Sequence, residues 1–146
     1  MTHKSYLKKI VYALLTLVSF VTSAPNIIPY PQQISEQSGT LLLSDSIYFN
    51  SEADSINNLF AHALFNKVGT TLDSNTKSAE FQITLATNFT DTSSAVYKLE
   101  ITDTKILLSA KNNLGVFYGL QTLRQLLPAK IENGSNSGKV EIPLLK

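Results

Sequence analysis

The stretch Asn112–Pro128, NNLGVFYGLQTLRQLLP, reads as a helix with both ends marked. Asn112 or Asn113 suits the N-cap, because a short side-chain oxygen can accept a first-turn N–H that has no partner within the helix. Pro128 marks the stop, since it lacks an N–H and disfavours helical backbone in the residue before it. Between them Val116, Leu120, Leu123 and Leu127 recur at helical spacing and form one apolar stripe. Phe117 widens the stripe on one side, and Gly119 and Leu126 widen it on the other. Gly115 and Gly119 lie one turn apart, and each costs about 1 kcal/mol against Ala in a helix interior. Two such residues in a short helix imply close approach by a neighbouring element, most simply the sheet on which the stripe packs.

The opposite side of this helix is not fully polar. Leu114, Tyr118, Gln121 and Gln125 fall together on it, where a solvated face would carry Lys and Glu. Amphipathic and amide side chains suit a surface that meets another protein layer and stays partly wet. These four residues are therefore the candidate interdomain face, pointing away from the stripe at about 100° per residue.

The N-terminus reads differently from the rest. Lys4, Lys8 and Lys9 precede a 12-residue apolar run, Ile10–Val21, and small residues follow at Thr22, Ser23 and Ala24. That order is a secretory signal peptide, residues 1–23, with Val21 and Ser23 at the recognition positions for cleavage. Twelve residues fall short of the about 20 needed to span a bilayer core. Removing the three lysines from the 12 basic residues leaves 9 against 11 acidic ones, a net of −2. Two sequons, Asn88-Phe89-Thr90 and Asn133-Gly134-Ser135, sit in polar, turn-like stretches and are candidate glycosylation sites. Secretory delivery to the cell exterior or a lysosome follows.

Residues 24–146 have the length and composition of one globular domain: over the 146-residue chain 43% of residues are hydrophobic and 16% charged. There is no cysteine, hence no disulfide framework and no thiolate metal site. No basic run of the kind that binds nucleic acid occurs. After an extended entry segment, Pro25–Pro31, the spacing predicts strands at Gln33–Gln37 and Thr40–Leu43 around a turn at Ser38-Gly39, and another at Ile47–Phe49. A first helix is expected over Ser51–Val68, with a capping box at Ser51 and Asp54 and an apolar face of Ile56, Leu59, Phe60, Ala63 and Leu64. Gly69 would end it in left-handed backbone. A polar loop over Thr70–Ala79 follows. Glu80–Ala86, Ala95–Ile101 and Lys105–Ala110 read as strands, the last two forming a hairpin, and Val140–Pro143 as a final extended segment. The pattern is α+β: a mainly antiparallel sheet with two helices on one face and the other face solvated.

The same residues offer no catalytic constellation. His3 lies in the signal peptide, and His62 falls on the polar side of the first helix without ligand partners at metal spacing. HExxH, CxxC, GxSxG and P-loop patterns are absent. Glu100 and Asp103 flank a turn, and Arg124 sits at the margin of the stripe, where a snorkelling side chain is the simplest account. No catalytic, cofactor-binding or metal-binding residue is assigned.

NIIPYPQQI, YKLEI, ILLSA and GVFYGLQTLRQLLP, in this order and spacing, resemble the N-terminal non-catalytic domain of glycoside hydrolase family 20 β-N-acetylhexosaminidases. The resemblance covers about Asn26 to Leu144. It implies an α+β domain that precedes a catalytic (β/α)8 barrel, its expected partner, and it leaves room for homo-oligomers of the full-length enzyme. It also implies the activity of the parent enzyme, removal of terminal N-acetylhexosamine from glycans. The implied mechanism is retaining and substrate-assisted, with an adjacent Asp–Glu pair in the barrel whose Glu is the general acid. The sequence stops where that barrel would begin, so no catalytic residue carries over and this chain alone is expected to be inactive. The alternative from a different class is a stand-alone secreted module that binds glycan or protein.

Overall fold

The computed structural model describes residues 33–76, 79–129 and 139–146. Residues 1–23, read above as a signal peptide, together with Pro25–Pro31 and Asn133, lie outside the described residues. In chain order the elements are β1 (Glu36–Leu42), β2 (Ser46–Ser51), α1 (Ser55–Lys67), β3 (Thr71–Asp73), β4 (Glu80–Leu85), β5 (Tyr97–Ile101), β6 (Lys105–Ala110), α2 (Asn113–Leu126) and β7 (Glu141–Leu145).

The seven strands form one sheet in the order β1-β7-β5-β6-β4-β2-β3. The half built from β1, β7, β5 and β6 is antiparallel. The half running from β6 through β4 and β2 to β3 is parallel. The expected α+β architecture is thus present as a mixed sheet. The antiparallel β5–β6 pair is the expected hairpin, its turn closed by the Thr102 N–H donating to the Lys105 carbonyl at 2.8 Å. Within the parallel half α1 supplies the crossover from β2 to β3, whereas β4 reaches its parallel neighbour β6 by way of β5.

Register explains the core. Phe49, Phe81, Ile106, Ile101 and Leu145 stand opposite one another across five strands. The next inward row runs through Ile83, Leu108 and Leu99. Side chains alternate faces along a strand, so these rows share the helix-covered side. Phe65 of α1 lies 5.1 Å from Phe81, ring centre to ring centre. On the other side Glu80 pairs with Lys105 at 2.8 Å, Lys98 with Glu100 at 3.0 Å, and the hydroxyls of Thr84 and Ser109 meet at 3.0 Å. This is the solvated face that the alternation predicts.

α2 matches its sequence signals. Asn112 caps it, its side-chain oxygen accepting from the N–H groups of Leu114 and Gly115. Val116, Leu120, Leu123 and Leu127 are all buried. A Cβ at Gly115 would stand 2.3 Å from the Val96 carbonyl oxygen, and one at Gly119 would stand 2.2 Å from a terminal carbon of Leu108. The first glycine therefore accommodates backbone and the second a side chain.

Several expectations are corrected. Gln33–Gln37 and Thr40–Leu43 are not two strands around a turn. Glu36–Leu42 is one strand with an irregular register between Glu36 and Thr40, where Gly39 takes a φ of +117°. α1 begins at Ser55, not Ser51. Ser51 ends β2, and Asp54 alone caps the helix by accepting from the Asn57 N–H at 2.8 Å. Gly69, with a φ of +75°, ends the helix as expected. The Thr70–Ala79 stretch contains the three-residue strand β3, which pairs parallel with β2.

The buried side of α1 differs most. Asn57, Ala61, Leu64 and Phe65 face inward, whereas Ile56 and Leu59 are 75% and 72% exposed and Ala63 is exposed. Two apolar stripes coexist on this helix, and the inward one is chosen by larger partners on the sheet and by Asn57. That buried amide donates to the Asn113 carbonyl at 3.0 Å, while the Asn113 side chain accepts from the Asp54 N–H at 3.0 Å. The two helices therefore start side by side at one end. His62 is half-buried, edge-on to Phe49 with ring centres 5.2 Å apart, and is not a freely solvated residue.

Candidate functional site

The outer side of α2 divides in two. Leu114 and Tyr118 are 45% and 40% exposed. Gln121 is half-buried, and Gln125 is exposed and donates its amide to the Gln121 carbonyl at 3.2 Å. Tyr118, Gln121 and Gln125 line an open cleft of about 700 Å³, whose far walls are the Phe89–Lys98 stretch and the end of β7 at Leu145 and Lys146. On the floor of that cleft the Tyr97 hydroxyl lies 2.6 Å from that of Thr122. The amide half of the predicted face thus borders a cleft, while Leu114 and Tyr118 stand on the helix crest.

The crest also holds residues that the sequence stripe assigned elsewhere. Phe117 is 42% exposed, where the stripe placed it at the buried margin. Its ring centre lies 5.6 Å from Tyr118 and 6.3 Å from Phe60 on α1. Phe60 continues to Leu59 and Ile56 along the same helix. Phe60 and Phe117 thus meet between the two helices, while Ile56 and Leu59 stand exposed on α1. The missing signal was the phase of α1, which local periodicity left divided between two stripes.

Charge marks the same surface by contrast. α1 contains no Asp, Glu or Arg and a single Lys, Lys67, in its last turn. α2 contains no Asp, Glu or Lys and a single Arg, Arg124, also in its last turn. Cations at a helix C-terminus are where the helix dipole favours them. The remaining outer surface of both helices is left uncharged. The opposite surface of the molecule, the outer sheet face, carries the Glu80–Lys105 and Lys98–Glu100 ion pairs.

Among the described residues no three His, Asp or Glu side chains are grouped to hold a metal ion. No helix among them is long and apolar enough to cross a membrane. Asn88, the sequon residue in the described part of the chain, is exposed in the loop after β4. The arrangement offers a surface for contact.

Residues 24–145 match the family model of glycosyl hydrolase family 20, domain 2. No curated protein sequence matches the chain. Among solved structures, the GH20 β-N-acetylhexosaminidase from Streptomyces coelicolor A3(2) is similar with a TM-score of 0.64 and 21% identity, over 84% of this chain and 26% of that one. The GH20 exo-β-N-acetylglucosaminidase from Vibrio harveyi in complex with N-acetylglucosamine gives 0.65 and 17%, over 85% and 19%. CpGH84B gives 0.62 and 20%, over 84% and 22%. At these identities the likeness is one of fold, and the chain spans about a quarter or less of each of these structures. With its family model matched from residue 24 to residue 145, the chain belongs to glycosyl hydrolase family 20 as the family's domain 2, the non-catalytic N-terminal α+β domain.

Proposed function

We propose that this chain is the scaffold domain of a β-N-acetylhexosaminidase-like glycoside hydrolase and does no chemistry itself. The observation that carries the reading is the family match over residues 24–145. The parent activity would be removal of terminal N-acetylhexosamine by the retaining, substrate-assisted route, in which the sugar's own acetamido oxygen attacks the anomeric carbon. Its general acid and adjacent carboxylate would belong to the (β/α)8 barrel. Leu114, Tyr118, Gln121 and Gln125 form part of the surface this domain would offer to that barrel. Two observations support this over a stand-alone glycan-binding module. The helices expose the large apolar side chains Ile56, Leu59, Leu114, Phe117 and Tyr118 and carry only two fixed charges, Lys67 and Arg124, a surface that a solitary module would avoid. The described outer rows of the sheet carry one aromatic, Tyr48, where a sugar-binding strip would need several.

Two measurements test the reading. Purified residues 24–146 should release no chromophore from an aryl N-acetylglucosaminide. Turnover that persists through purification and scales with this protein would refute the inactive-scaffold assignment. The native transcript, read beyond the Lys146 codon, should continue in frame into a barrel. A stop codon at that point would instead favour the stand-alone module.

A further inference from the structure

We propose that the cleft beside α2 is the seat of this chain's own N-linked glycan, with the first N-acetylglucosamine on Asn88 lying between Phe89 and Tyr118. This rests on the secretory reading of residues 1–23 and not on the scaffold reading. Asn88 is exposed in the loop between β4 and β5, and Phe89, the middle residue of its sequon, lines the cleft. The loop is anchored on both sides of Asn88. Before it, the Ala86 N–H donates to the Ala110 carbonyl at 2.9 Å. After it, the Lys111 ammonium donates to the carbonyls of Asp91 and Thr92 at 3.3 and 3.4 Å. The Asp91 side chain also accepts from the Ser93 N–H at 2.8 Å. A sugar on Asn88 therefore leaves the protein from a held point beside the cleft.

The lining suits the core of such a glycan. A pyranose ring has an apolar C–H face that an aromatic side chain covers. Its hydroxyls and acetamido group pair with amides and hydroxyls. Across the cleft from Phe89 stand Tyr118, 40% exposed, and the amides of Gln121 and Gln125. The hydroxyls of Tyr97 and Thr122 lie on its floor. At about 700 Å³ the cleft falls in the size range of small-molecule sites, and being open it lets the outer sugars run on into solvent. Tethering supplies the rest. A short linker holds its ligand at an effective concentration on the order of mM, so weak contacts keep the sugar seated.

The test uses the full chain expressed in a eukaryotic secretory host, with Asn133→Gln so that one sequon remains. Peptide mass should show a glycan on Asn88. An unmodified Asn88, in secreted or retained protein, would overturn the proposal. Urea midpoints are then compared before and after the glycan is released enzymatically from the folded protein. Release should lower the midpoint. In a Tyr118→Ala background it should lower it by about half as much or less, a double-mutant cycle that isolates the contact. Equal falls in the two backgrounds would show that the glycan acts through its own loop alone and would overturn the seat, as would no fall in either. Trimming the glycan to its first sugar should leave the midpoint unchanged, and a fall on trimming would refute the assignment to that sugar. A nuclear Overhauser contact between the acetamido methyl group and the Tyr118 ring, in trimmed protein that keeps Tyr118, gives a readout independent of stability. Its absence would overturn the seat. A stabilisation that grows with protein concentration would assign the glycan to the cleft of a second copy and would overturn the proposal as well.

Discussion

The two glycines of α2 look alike in sequence and differ in what they touch. At Gly115 an added methyl meets the Val96 carbonyl oxygen at 2.3 Å, and that backbone is held by the Lys111 N–H donating to the same oxygen at 3.1 Å. Gly115→Ala should therefore cost about 1–3 kcal/mol, as overpacking does. At Gly119 the obstacle is the tip of Leu108, a side chain that can turn, and Ala regains about 1 kcal/mol of helix propensity there. Gly119→Ala should be the milder change of the two. Urea unfolding of both variants checks the order, and a larger loss at Gly119 would show that Leu108 is held as firmly as backbone. Close approach was legible from the glycines alone. Which neighbour approaches was not, because the seating of α2 over Val96, just before β5, and over Leu108 of β6 is a tertiary contact that the helix periodicity does not specify.

Among the elements, α2 was the most legible and α1 the least. α2 has a side-chain cap at Asn112, a proline stop and one dominant stripe, all within 17 residues of sequence. Its two sides should respond differently to truncation. Leu120→Ala should destabilise the chain by about 2–5 kcal/mol, as a core cavity does. Tyr118→Ala should cost about 0.5 kcal/mol in the same chain, as at a surface site. Tyr118→Ala should become clearly more costly once the helical face is covered by a catalytic domain, and equal losses in the two contexts would show that Tyr118 meets nothing there. α1 misled because Ile56 and Leu59 extend an apolar stripe with Phe60, yet the fold turns those two outward and packs Phe60 partly against the core. Only the tertiary bond from Asn57 to Asn113 and the bulk of Phe65 against Phe81 set its phase. β3 was missed because three residues with one buried side chain, Leu72, carry too little pattern to stand out from a loop.

At the scale of the whole molecule, the secretory signals make a separate prediction. Material secreted from a eukaryotic host should begin near Ala24 and carry a glycan at Asn88, whose side chain is exposed in a loop able to accept one. N-terminal sequencing and intact mass check both parts, and secreted protein that retains Met1 would refute the first. The sheet order adds a constraint on how the molecule is made. Among the described residues β1 is bonded to the sheet through β7 alone, and the paired residues Leu41 and Ile142 are about 100 residues apart in the chain. β7 also stands between β1 and β5, so the first of the described strands to leave the ribosome waits for the last of them before it has a place in the sheet. Closing so long a loop is slow, because its entropy is lost before the pairing compensates. During synthesis the edge of β1 therefore stays open until Leu145 has cleared the exit tunnel, and a ribosome that stalls in the linker before β7 leaves the nascent chain with an unpaired strand for a chaperone to cover.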